Sequence, residues 1–572
     1  MFTKENLLRC EVFPAELPPC FSTASLGKCA DYAITATNAC NQKFSIPLKY
    51  SGYKSESSRR KFAIPNPYHY CKAVDAIVKK ESEISAILKK STYSLTAPIE
   101  KPAKEHQAYA KKSKSIADTK EEIEKQYKDN RYEIRLDISS FFDSIYTHSI
   151  PWAIHGIAVA KKKIGDQSLL GNQLDKCMQA MNYNQTNGIL VGNAVSRIIA
   201  EIILCTIDEA IQKKFPQIAC RRFVDDYYIY TQDSGKIQEI ISFIRTNLAQ
   251  YELSFNENKI QVNESPFLYG KPWVEEIKQY MHLQPDVFLS KLIMEYNIHK
   301  DIAIIKYGLK VISQCRYNAK NWPAMQSRIV NLWVRFPSLS DHVLPILWHN
   351  KERLNKTILK NAIYSVIDES LLLNREQELI WAVWYAKVFD ISLSQPYVVT
   401  VLRSANDVAA IVMLDYVYIK GLQNTTRIKT QLIAMYDQLV QDDTDASGKK
   451  DQLMWSSHWL LAYEADRNSW LNVNGKTFNY AQKNPYFKEL LTKDVKFYDT
   501  DYMYDAPPPK TRNYEYATRS EMYAAINKLQ KMITERLKKE GILDHFTMTP
   551  EEEELYEEFV RAWEEEETVY IG

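Results

Sequence analysis

RRFVDDYYIY, from Arg221 to Tyr230, sets two adjacent carboxylates, Asp225 and Asp226, inside a stretch rich in β-branched and aromatic residues. Such residues favour a pleated, half-buried backbone, so an acidic pair among them is out of pattern. Two carboxylates about 4 Å apart repel by roughly 4 kcal/mol at an effective dielectric near 20, and that repulsion calls for compensation. A hairpin turn open to water is one answer. A divalent cation is the other, since magnesium takes oxygen ligands from a few carboxylates and substrate phosphates. Taken alone, this segment supports both.

Upstream, YEIRLDISSFFDSIYTHSIPW runs from Tyr132 to Trp152. Tyr132, Ile134, Leu136 and Ile138 alternate with Glu133, Arg135 and Asp137, so a strand would bury the first set and turn the second toward the opposite, polar face. Asp137 then stands at a strand end. Between the two segments lies NQTNGILVGNAVSRIIAEIILCTIDEAI, Asn184 to Ile211. Asn193 suits a helix N-cap, and Ala194, Ile198, Ile202 and Ile207 form an apolar stripe behind it. Gly188 and Gly192 leave the preceding loop without side chains, which serves a ligand approaching the backbone or close packing equally well.

The order matters more than any one segment. A strand-end aspartate, a glycine loop entering a helix, and an aspartate pair in a hairpin resemble motifs A, B and C of the polymerase palm. FVDD, at 223 to 226, is close to the reverse-transcriptase form of motif C. The resemblance implies that Asp137 and Asp225, with Asp226 beside them, hold two magnesium ions that serve a primer hydroxyl and the departing pyrophosphate in an in-line displacement. Phe142 falls where reverse transcriptases place an aromatic gate against a ribose 2′-hydroxyl, which implies deoxynucleotide substrates; core packing is the plainer alternative. Gly188 would face the incoming nucleotide. The sequence departs from the common motif B, with Asn187 where glutamine is usual and Gly192-Asn193 where Ser-Pro is, and this bears on templated copying more than on the chemistry.

SSRRKFAIPNPYHY, Ser57 to Tyr70, resembles the fingers segment that holds the triphosphate, with Arg60 the foremost candidate and Arg59 and Lys61 beside it. Guanidinium forks match phosphate oxygens. In YELSFNENKIQV, Lys259 stands where motif D offers a lysine near the triphosphate, a general acid for pyrophosphate. His148 is expected to be a hydrogen-bonded structural residue, because a metal-dependent reaction does not need it. Lys161, Lys162 and Lys163 read as a surface charge run.

Beyond about residue 280 apolar residues recur at helical spacing, in segments such as QELIWAVWYAKVF, YVVTVLRSANDVAAIVMLDYVYI and DQLMWSSHWLLAYEA. The expected class is α+β: a reverse-transcriptase-like fingers and palm domain over 1–280, an all-α, HEAT-like helical repeat over 281–505, and a C-terminal helical extension over 506–572. Exposed loops are expected at 441–452 and 505–513. After them come an amphipathic helix from Ser520 to about Glu540 and an acidic helix with a Leu555, Phe559 and Trp563 stripe.

The formal charge of +2 over 572 residues excludes a uniformly basic nucleic-acid coat while leaving room for a basic cleft. Nine cysteines with no CxxC pair support neither a zinc ribbon nor a disulfide framework. No run of eighteen apolar residues interrupts the chain, so a soluble, cytoplasmic protein with no membrane partner is expected.

YTHSIPW, at 146 to 152, and GILVGNAVSRIIAEI resemble the AbiK type among bacterial abortive-infection and defence-associated reverse transcriptases. That resemblance implies an antiphage role, a homo-oligomer (trimer or hexamer), and DNA synthesis that needs no template and starts from a protein tyrosine, leaving the product covalently attached. Tyr570 is a candidate primer. Other members copy a small non-coding RNA into repetitive complementary DNA, which is the alternative mode, and a decayed palm serving as a phage-sensing scaffold is the non-enzymatic one. Arg335 and His342, in RFPSLSDH, bear a faint likeness to HEPN nucleases.

Overall fold

The computed structural model describes residues 1–104, 107–113, 116–281, 283–315, 317, 321–444 and 452–506. Its first sheet is a hairpin in which β1 (Leu48–Ser55) runs antiparallel to β2 (Ser58–Ile64). Gly52 faces Arg60 across it, and a Cβ on Gly52 would fall 2.3 Å from the Phe62 ring, so the missing side chain makes room for that ring. Phe62, Ala63 and Ile64 are all buried, because the end of β2 passes beneath the rest of the protein. Helix α1 (Pro67–Lys79) follows at once, capped by Asn66, whose side chain accepts from Tyr68 N.

The second sheet has the order β4-β5-β3-β6 and is antiparallel throughout. Its strands are β3 (Tyr132–Asp137), β4 (Ala219–Phe223), β5 (Asp226–Thr231) and β6 (Gln261–Glu264). Five helices separate β3 from β4, among them the single turn α2 (Phe141–Ser144), α3 (Leu170–Met181) and the 21-residue α4 (Ala194–Lys214). Asn193 caps α4 as its sequence predicts, accepting from Ser196 N at 2.9 Å, and Ala194, Ile198, Ile202 and Ile207 are buried along it.

One expectation for β3 fails. Alternation places Glu133 on an open polar face, yet Glu133 is 0% exposed. It accepts hydrogen bonds from Tyr230 OH (2.7 Å), Asn263 Nδ2 (2.9 Å) and Arg135 Nε (2.7 Å). Leu95, Ile123 and Tyr230, with Tyr127 and Phe267 packed on them, form an apolar cluster over that end of the sheet. Strand periodicity tells which residues share a face but not whether a later segment covers it.

Beyond β6, every regular element among the described residues is helical. Helix α5 (Glu376–Val388) is apolar on all sides, with Leu379 through Ala386 buried, as a helix enclosed by protein must be. The run YVVTVLRSANDVAAIVMLDYVYI is two helices, α6 (Gln395–Arg403) and α7 (Asp407–Ile419), because the Asn406 side chain accepts from Ala409 N and starts a new one. DQLMWSSHWLLAYEA likewise divides into a 3-10 turn, Leu453–Trp455, and α8 (Trp459–Arg467).

The late helices return to the start of the chain. Ser22 N donates to Phe497 O (3.1 Å), Asp499 N to Cys20 O (2.9 Å), Ile46 N to Trp455 O (2.8 Å), and Asn66 Nδ2 to Met454 O (2.9 Å). Met1–Gln314 and Ala319–Pro509 accordingly make one compact unit. The other unit, Cys315–Asn318 with Lys510–Gly572, falls almost wholly outside the described residues, as do the centre of the 441–452 loop, the segment from Ser520, the Leu555, Phe559 and Trp563 stripe, and Tyr570. None of the nine cysteines is in a disulfide. Among the described residues no helix is long and apolar enough to cross a membrane.

Candidate active site

Strands β4 and β5 meet in a two-residue turn: Phe223 pairs with Asp226, leaving Val224 and Asp225 at the tip. Val224 has φ 55°, a left-handed conformation that a β-branched side chain rarely adopts. On the other side of β5, Asp137 pairs with Asp226. Two carboxylates some ninety positions apart in sequence are thus cross-strand neighbours, and Asp225 joins them through the turn.

The cluster shows the electrostatic strain expected of three acids. Asp226 is pushed up to about 7, first by burial, then by the charges of Asp225 and Asp137, with the Asp137 side chain in hydrogen-bonding range. Burial, then Asp137, also raises Asp225, against the opposing pull of Lys259 and Arg60. Lys259 Nζ lies 3.1 Å from Asp137 Oδ2. An all-oxygen donor set carrying excess negative charge fits magnesium chemistry. The three aspartates do not gather three ligand atoms within 4.8 Å of one another; among the described residues only Glu276, Glu295 and His299 do so.

The loop before α4 is tied to the segment after β3. Ile189 N donates to Phe142 O and Gly188 N to Ile145 O, both at 2.9 Å, while Asn187 bridges to Tyr146. Gly188 has φ 79° and is buried, and a Cβ there would lie 3.1 Å from Asp143 O. Close packing of the two loops therefore explains this glycine. Asn187 is exposed and Phe142 half-buried. The Phe142 ring stands edge-on to Phe141 and lines a cavity of about 100 Å³ with Thr96, Arg197, Glu201, Phe223 and Val224.

The three basic residues of β2 separate. Arg59 forms a bidentate pair with Glu378 of α5 (2.6 Å for each bond) and donates to Ser51 O. Arg60 and Lys61 are exposed, and Arg60 is near enough for its charge to lower Asp225. Sequence reasoning missed Lys49 on β1, whose Nζ donates to Asn182 Oδ1 at 3.1 Å. Desolvation, then Lys61, lowers its ammonium, opposed by Asp143.

His148 Nδ1 pairs with Asp175 Oδ2 at 2.6 Å. Arg335 rests on the Phe336 ring and His342 on Asp341, each engaged with its own neighbour. A second omission is Arg222, fully buried directly before the FVDD turn. Its signal was present in the alternation of β4, which puts Arg222 on the same inward face as Cys220.

Residues 62–278 match the family model described as reverse transcriptase (RNA-dependent DNA polymerase). No curated protein matches the chain. Among solved structures, apo telomerase from Candida tropicalis aligns at 11% identity and a TM-score of 0.30, over 73% of this chain and 69% of that one. The same telomerase truncated from its C-terminal domain aligns at 12% identity and a TM-score of 0.28, over 40% and 51%. Telomerase from Candida albicans, in complex with a TWJ fragment of telomeric RNA, aligns at 12% identity and a TM-score of 0.26, over 59% and 65%. The chain spans about half the length of the first of those proteins to align at 12% identity and about two thirds of the other two. With the aspartate cluster in place, residues 62–278 are a reverse-transcriptase domain, a nucleotidyltransferase unit of the RNA-directed DNA polymerase kind.

Proposed function

We propose that this protein is an antiphage-defence DNA polymerase of reverse-transcriptase type, protein-primed and template-independent, adding deoxynucleotides with two magnesium ions. The observation that carries the polymerase reading is the Asp137 to Asp226 register, with Asp225 on the adjoining turn and Lys259 at Asp137. Reverse-transcriptase domains use divalent metals in catalysis, and the residues that would hold them here are Asp137, Asp225 and Asp226. When bound, the ions supply activation of the attacking hydroxyl and neutralisation of charge on the leaving pyrophosphate.

The rest of the chemistry belongs to the chain. Arg60 and Lys61 bind triphosphate oxygens from the fingers hairpin, and Lys259 donates a proton to the leaving group. Phe142 excludes a ribose 2′-hydroxyl, with Asn187 and Gly188 shaping the nucleotide side of the same loop. The AbiK-like segments 146–152 and 188–202 support the defence role and the protein-primed mode. The helical segment 281–505, HEAT-like in its pattern, is then the surface for assembly into a trimer or hexamer in the cytoplasm.

Purified protein, magnesium and each labelled deoxynucleotide, with and without nuclease pretreatment, test this directly. Label that stays with denatured protein after nuclease pretreatment supports self-priming without template. Label abolished by RNase pretreatment assigns the bound-RNA mode instead. Full incorporation by Asp225→Asn removes the catalytic assignment, whereas a wild-type chain that incorporates nothing leaves the scaffold reading.

A further inference from the structure

The turn that carries Asp225 is held in a conformation its own sequence disfavours, and the groups that hold it are buried beneath it. Arg222 is 0% exposed. Its Nη1 donates to Val224 O at 2.8 Å, and Thr96 Oγ1 accepts from Val224 N at 3.2 Å, so both peptide groups of the left-handed valine are engaged. The remaining nitrogens of Arg222 bind two acids of α4: Nε and Nη2 donate to Asp208 Oδ2 (3.0 and 2.8 Å), and Nη2 also donates to Glu201 Oε2 (3.0 Å). Thr96 Oγ1 in turn donates to Glu201 Oε1 at 2.5 Å, which closes a ring from Val224 through Thr96, Glu201 and Arg222 back to Val224.

Two buried acids around one arginine leave a net negative charge, and hydroxyl donors spread it. Ser94 Oγ donates to Glu201, and Ser91 Oγ and Tyr227 OH donate to Asp208. A network of buried charges is poor evidence of extra stability, since well-packed apolar residues do as well or better. What it does supply is direction: fixed donors and acceptors on either side of one strained residue.

We propose that Thr96, Arg222 and Glu201 are positioning residues that clamp Val224 in its left-handed conformation and so aim the Asp225 carboxylate at the shared metal position. The inference rests on the polymerase reading above. It requires that α4, which follows the glycine loop, set the geometry of the aspartate turn as well as bury the core. A glycine at 224 would adopt φ 55° without help, but it would also leave it freely.

The test is a cycle of Thr96→Val, Val224→Gly and the double variant, with Arg222→Lys beside them, all in the full chain. Thr96→Val keeps shape and removes the acceptor for Val224 N. Each protein is assayed for deoxynucleotide incorporation, half-saturating Mg²⁺, Tm, and Mn²⁺ bound per chain by electron paramagnetic resonance without nucleotide. Expected for Thr96→Val are a Tm near wild type, kcat lower by about fivefold, the factor one hydrogen bond is worth, and weaker Mn²⁺ binding with KM for nucleotide unchanged. Val224→Gly should lose kcat as well, and Thr96→Val should then add little in its background, since both act on one clamp. Arg222→Lys, which keeps the charge but not the fork, should retain part of the activity. Wild-type Mn²⁺ binding and kcat in Thr96→Val, or losses that only follow Tm, would overturn the inference. A wild-type chain that incorporates nothing counts against the polymerase reading, and the Mn²⁺ comparison still decides the clamp.

Discussion

Lys259 Nζ stands 3.1 Å from Asp137 Oδ2, so the ammonium of one segment neutralises the carboxylate of another. A cation arriving at Asp137 competes with Lys259. The lysine is 60% exposed on its side chain, and exposed pairs are worth about 0.2–1 kcal/mol. Lys259→Met should therefore tighten Mn²⁺ binding by roughly two- to fivefold while lowering kcat, because the proton donor for pyrophosphate is gone. Mn²⁺ titration beside single-turnover incorporation measures both; weaker metal binding in the variant would contradict the competition.

Asp225 sits with two other acids and is raised by burial and by Asp137. Replacing it with asparagine removes a charge that the folded chain disfavours at neutral pH. Asp225→Asn should be more stable than wild type by ~1 kcal/mol without divalent ions, and yet lose incorporation by roughly a thousandfold. Urea unfolding and label incorporation on one preparation give the two numbers.

Glu378 is 2% exposed and its partner is Arg59. Arg59→Ala leaves a buried carboxylate unpaired and should destabilise by ~3–5 kcal/mol, whereas Arg59→Met with Glu378→Leu should recover most of that loss. Nucleotide KM measured well below Tm should be unchanged in the double variant. A raised KM there would restore Arg59 to the triphosphate site.

Phe142 lines the cavity beside the Val224 turn. If its ring excludes a 2′-hydroxyl, Phe142→Val should raise ribonucleotide incorporation relative to deoxynucleotide by roughly 10- to 100-fold with little change for deoxynucleotides. Equal loss for both sugars would instead show a packing role.

His69 is buried between Ser45 Oγ (2.8 Å) and Gln42 O (3.3 Å), and burial lowers it to about 4 from the usual 6.5. As pH falls below 6.5 the unfolded chain gains a proton that the folded chain refuses until about 4, so stability falls across that window. The loss should reach ~2 kcal/mol by pH 5 and ~3 kcal/mol by pH 4. His69→Gln should flatten this part of the profile, read from urea midpoints at pH 7 and pH 5.

The sequence by itself determined the elements and their chemistry. Period-two alternation gave β3, Asn193 marked the start of α4, and the crowding of Asp225 and Asp226 marked a site, because these signals depend on neighbours within a few residues. What covers a face, and which distant charge meets which, was decided only by tertiary structure. Glu133 looked exposed until an apolar cluster closed over it, the pairing of Arg59 with Glu378 of α5 had no sign in either segment, and Arg222 looked like one more basic residue before FVDD. Burial, and pairing between separate elements, follow from how layers stack, and local pattern carries no term for that.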